Sequence, residues 1–205
     1  DLGPADRDQR QLIASGSSRQ NQDFYPPGVA LRLAPVPDAP GGAPVGIGLL
    51  LDANVVNGSA RPAHGTSRVT FRRARRGTVK RIATPLLARS AEQGLSVAPS
   101  AVRSTEDSTD PQHPLSDAWA PATDACVLFV TGHFHEHGRL FAVDRVDAGG
   151  AVANPPDGPE NPFEPGRRHL FATPDYTDPG TLPFTPPALV RAGEALHYAC
   201  WHDNG

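Results

Sequence analysis

Proline and glycine punctuate this chain too densely for long helices. Twenty-three prolines and 20 glycines are spread over 205 residues, and the apolar runs between them are short. Proline removes a backbone donor and glycine loosens the backbone, so both interrupt helix interiors yet sit readily between short strands. Strand-like runs recur between these breaks: "VALRL" (29–33), "VGIGLLLDANVV" (45–56), "TSRVTFRRA" (66–74), "TVKRIATPLLA" (78–88), "ACVLFVTGHFHEH" (125–137), "RLFAVDRVDA" (139–148) and "ALHYACWH" (195–202). The expected fold is therefore all-β, an antiparallel jelly-roll-like β-sandwich with long Pro/Gly-rich loops at 99–122 and 153–187. Residues 1–40 are expected to form an extended N-terminal segment with one short strand, and 41–205 the sandwich domain.

Charge narrows the range of partners. The net charge of −3 makes nucleic acid a poor partner for the chain as a whole. "RVTFRRARRGTVKR" (68–81) is a local exception whose arginines would suit an acidic surface; the competing reading is a solvated strand and turn. No stretch approaches the roughly 20 apolar residues of a membrane span. Met is absent, so Asp1 is not an initiator residue and the chain reads as a processed or excised product. Two cysteines, Cys126 and Cys200, both lie in strand-like runs. An even pair in a processed chain fits one disulfide and a secreted or periplasmic location, with two buried thiols as the alternative.

The densest chemistry is "VTGHFHEHGRLFAV" (130–143), with His133, His135 and His137 at alternate positions. On an extended strand, side chains at i, i+2 and i+4 leave one face, so imidazoles spaced this way would converge on one metal ion. A polar, solvated strand face would show the same spacing.

An apolar strand, His-x-His, Gly, a basic residue and a second apolar strand together resemble the second catalytic domain of the copper type II, ascorbate-dependent monooxygenases. This family includes the peptidylglycine alpha-hydroxylating and dopamine beta-monooxygenases. Its His-Thr-His-His-Leu-Gly-Lys pattern lies without gaps over His133, Phe134, His135, Glu136, His137, Gly138 and Arg139. "FYPPGVALRL", "GIGLLLDANVVNGSARPAHGTSRVTF" and "VRAGEALHYACWHDN" are similar to further family segments in the same order. The resemblance implies that His133 and His135 ligate the oxygen-activating copper; the shared strand face alone would equally suit zinc. The family's third ligand is a Met, which this chain lacks, and no His-His pair serves a second copper. Asp52 stands where the family's other strand carries a His. His137, His202 and then His197 are the third-ligand candidates within the chain. A missing polypeptide segment or an assembly partner would supply the rest.

The other titratable residues carry less. His113 and His169 sit in expected loops without a partner pattern, and Glu136 reads as a surface charge. There is no Gly-x-Ser-x-Gly, P-loop or Cys-x-x-Cys. Nothing in the sequence names a substrate. Two functions remain open: a copper-binding, monooxygenase-like domain, active only if the missing ligands are supplied elsewhere, or a non-catalytic β-sandwich binding or assembly module with structural histidines.

Overall fold

The computed structural model describes residues 25–33, 36–37, 44–46, 60–62, 64–75, 77–85, 101–104, 117–134 and 137–205. Among these residues every regular element is a β-strand and there is no helix. The all-β expectation holds. Backbone proximity divides the chain into two units, Tyr25–Pro85 and the remainder.

The Tyr25–Pro85 unit contains four short strands. β1 (Val29–Leu31) pairs in parallel with β4 (Arg81–Ala83), and β2 (Val36–Pro37) pairs antiparallel with β3 (Pro44–Gly46). The approach to β1 turns at Gly28 with φ +82°, and the Gly28 carbonyl accepts the N–H groups of Lys80 at 2.7 Å and Arg81 at 3.1 Å. "TSRVTFRRA" alternates like a strand in sequence, yet residues 66–74 join no ladder among the described residues. An alternating pattern provides a face but no partner strand. Most of the expected 45–56 strand lies outside the described residues.

The remaining unit is built on a five-stranded sheet. β5 (Val102–Ser104) and β6 (Asp117–Trp119) pair with successive parts of one edge of β11 (Ala195–Asp203). The other edge of β11 runs against β8 (Gly138–Val146), which pairs in turn with β9 (Phe171–Thr173). All of these pairings are antiparallel. β7 (Ala125–Thr131) and β10 (Thr181–Val190) form a separate antiparallel ribbon. Its register shifts between Pro183 and Ala188, where the sequence "FTPP" interrupts the ladder, because prolines there cannot donate to it.

β8 is covered on both faces, which explains its nearly continuous apolar run. Phe141 and Val143 point to one side with Phe171, Leu196, Tyr198 and Cys200, and meet Val130 and Leu182 of the ribbon and Phe134 of the β7–β8 connection. Phe141 is the hub: its ring lies 6.2–6.4 Å from those of Phe134, Phe171 and Tyr198. Each buried phenylalanine contributes about 1.5–3 kcal/mol of transfer free energy, against about 1 kcal/mol net for a ladder hydrogen bond, so this cluster decides which face of β8 turns inward. Gly132 is required beside it, because an added Cβ would overlap the Phe141 ring. Leu140, Ala142, Ala199 and Trp201 point to the other side, where Phe163 and Ala172 cover them. Phe163 thus anchors the long loop that carries it, whereas Tyr176 stays 39% exposed.

A histidine-bearing turn and a buried polar cluster

The histidine stretch is not the continuous strand that its alternation predicts. β7 ends at Thr131, and His133 lies exposed in the connection to β8. The cause is the residue between the first two histidines. Phe134 is 4% exposed and stacks on Phe141, so the connection is pinned into the apolar cluster rather than paired along a neighbour. His135 and Glu136 lie outside the described residues, as do Asp52 and His113.

His137 adopts φ +74°, a left-handed conformation that non-glycine residues seldom occupy. That bend turns the chain into β8 one residue later, and the His137 carbonyl accepts the Asp203 N–H at 2.9 Å. On β11 next to Asp203, His202 pairs in register with Gly138. The topology therefore brings His137 and His202 to the same end of the sheet. His202 Nδ1 is buried and has no hydrogen-bond partner among the described residues. Burial, and then the charge of nearby His137, hold the His202 pKa below its ordinary value. A neutral imidazole with an open nitrogen is the state a metal ligand needs. Among the described residues, no three His, Cys, Asp or Glu side chains gather closely enough to hold a metal ion.

His197 sits elsewhere. Its β11 register sets it opposite Asp144 of β8, on the face that the 153–170 loop covers. Cys126 is exposed on β7 and Cys200 packs into the Phe141 cluster on β11; no disulfide joins them in this structure. Burial pushes the Cys200 thiol up to about 12.

Among the described residues, the most highly organised polar group was not one of the sequence candidates. Asp144 follows Leu140 and Ala142 on the loop-covered face and is 2% exposed. Its Oδ1 is 2.6 Å from His169 Nδ1 and accepts Asn154 Nδ2–H at 2.7 Å, while Oδ2 accepts Arg167 Nη2–H at 2.7 Å. A carboxylate only accepts, so His169 Nδ1 carries the shared proton. Burial raises the Asp144 pKa, but the hydrogen bonds from His169 and Arg167, the charge of His169 and the Asn154 contact outweigh it and hold the group below its ordinary value. Arg167 also pairs with Glu164 at 2.9 Å and lies 5.3 Å from the Trp201 ring centroid. The Trp201 indole N–H donates to Glu164 at 3.0 Å.

His169 reaches this cluster through a small hairpin in the loop. Glu160 bridges Arg168, the His169 N–H bonds the Pro159 carbonyl, and the Asn161 N–H bonds the Arg167 carbonyl. Alternation across that pairing sends Asn161, Arg167 and His169 inward and leaves Glu160 and Arg168 exposed. Gly158 is needed at the base, where a Cβ would overlap the His169 carbonyl. His169 is fully buried, and neither its Nε2 nor Asn161 Nδ2 has a partner among the described residues. With its one paired ring nitrogen committed to Asp144 and no access to solvent, His169 clamps the loop to the sheet. A sequence signal for it existed: an aspartate in the inward register of "RLFAVD" demands a buried partner. Its partners lie 10–25 residues away, so no local spacing reveals them.

Compared with protein-family models, curated proteins and solved structures, the chain matches none.

Proposed function

We propose that this chain is a copper-binding, monooxygenase-like domain with a jelly-roll-like β-sandwich, whose metal is held at the histidine-bearing turn between β7 and β8. His133 and His135 are the first two ligands, and His202 stands in for the methionine the chain lacks. The observation that carries this reading is His202: a neutral ring with a buried, unpartnered Nδ1 on the strand paired beside that turn. Its donor chemistry fits, since imidazole serves either oxidation state of copper. Bound copper would supply one-electron chemistry toward oxygen. The residues of this chain hold the site: Phe134 anchors the turn, and the His137 carbonyl ties it to β11. Substrate oxidation would need the ligands of the electron-supplying copper from outside this chain, and a secreted or periplasmic setting goes with this reading.

Copper titration of the intact chain, followed by electron paramagnetic resonance, is the test. Wild type is expected to bind one copper, and His202→Ala to weaken it by about 10-fold or more. The His133→Ala, His135→Ala double variant should abolish binding. Wild-type binding should fall with pH below about 6.5 as free imidazoles protonate. Equal affinity in all three proteins would overturn the proposal and leave the non-catalytic binding or assembly module.

A further inference from the structure

The basic segment takes no part in the histidine site, and its physical character is unlike that of the rest of the chain. Between Asp52 and Glu92 there is no acidic residue, while nine Lys or Arg side chains occur. The remainder of the chain carries ten Lys or Arg against 22 Asp or Glu. Every described side chain from His64 to Arg75 is exposed, and so are Lys80 and Arg81. Arg68, Arg72, Arg73, Arg75, Lys80 and Arg81 have no ion-pair partner among the described residues. Three large apolar side chains are exposed among them: Val69 at 53%, Phe71 at 52% and Ile82 at 48%.

We infer that the exposed side chains of residues 68–75 and 77–82 are a peripheral docking surface for an anionic lipid bilayer. Two facts have to be met together, unneutralised cations and exposed apolar side chains interleaved with them. A nucleic acid would meet the first and leave Val69, Phe71 and Ile82 in water. A bilayer surface meets both. Guanidinium groups bond lipid phosphates in a bidentate fork, and aromatic and aliphatic side chains enter the headgroup–acyl boundary. At physiological salt this attraction is a local one, because exposed charges are screened beyond about 8 Å.

Co-sedimentation of the intact chain with vesicles tests this directly. The vesicles would be phosphatidylcholine alone or mixed with an equal part of phosphatidylglycerol, at low and high salt. Binding is expected only to the anionic vesicles. The fourfold variant Arg68→Gln, Arg72→Gln, Arg73→Gln, Arg75→Gln should weaken it several-hundred-fold, from about 1 kcal/mol per basic side chain at the surface. Phe71→Ser should leave low-salt binding measurable and remove the residue that survives high salt. All five positions are exposed, so an unchanged circular dichroism spectrum is expected of each variant. Equal binding to neutral and anionic vesicles, absence of vesicle binding, or a stronger preference for a duplex DNA fragment at the same salt would each overturn the inference.

Discussion

The two faces of the β8–β11 sheet are held by different physics. Toward the ribbon the contact is apolar: Phe141 and Val143 meet Phe134, Phe171 and the side chains around them. Toward the 153–170 loop, the apolar patch of Leu140, Ala142, Ala199 and Trp201 ends in a charged cluster centred on Asp144. The apolar face tolerates imperfect matches, because dispersion and burial are summed over many contacts. The charged face has no such tolerance. Asp144 and His169 are taken from water, so each needs the other, and Asp144 needs the partly exposed Arg167 as well.

That contrast predicts an order of sensitivity. Asp144→Ala should be the most damaging change, losing about 3–5 kcal/mol, because it leaves the buried His169 Nδ1–H without its acceptor and Arg167 without its buried ion-pair partner. Urea denaturation would measure it, and the loss should depend on pH. The folded pKa of Asp144 lies below its unfolded value. Its contribution is therefore complete above about pH 4 and disappears as pH falls through the lower folded value, so the variant and wild-type curves should converge in acid. Gly132→Ala tests the apolar face. Its new methyl must displace the Phe141 ring, for an expected loss of about 1–3 kcal/mol by the same method. If Gly132→Ala proved the more costly of the two, the ranking of the faces would be reversed. Glu164→Ala sharpens the picture at the margin of the cluster, where the carboxylate is 40% exposed and holds the Trp201 indole N–H. About 1 kcal/mol is expected, read from the thermal midpoint and a change in tryptophan emission.

Parts of this structure were legible beforehand for identifiable reasons. The runs "ACVLFV", "RLFAV" and "ALHYACWH" read as strands because their side chains are apolar on at least one face, and β7, β8 and β11 follow them. The glycine in "RAGEAL" suits a turn into the last strand, and Gly193 at φ +91° with the Glu194 N–H on the Arg191 carbonyl makes that turn. The extent of the histidine strand was not legible. Alternation continues past Thr131, but Phe134 and Gly132 are held by Phe141, and that requirement appears only when the ring is in place. His169 looked like a loop residue for a related reason. Its partner is 25 residues away, and only the loop hairpin turns it toward the sheet.

The sequence by itself determined the class of fold. Proline and glycine spacing is a local backbone restriction that acts wherever the chain goes, and it leaves short strands as the regular element. It also determined the charge segregation that isolates residues 53–91, since composition needs no geometry. Which histidine is buried beside a carboxylate and which has a buried, unpartnered nitrogen at the end of the sheet was decided only by tertiary structure. Both outcomes depend on strand register and on a loop folding back across the sheet. Pairing over such separations is selected by the summed burial of the whole core rather than by any residue's neighbours in sequence.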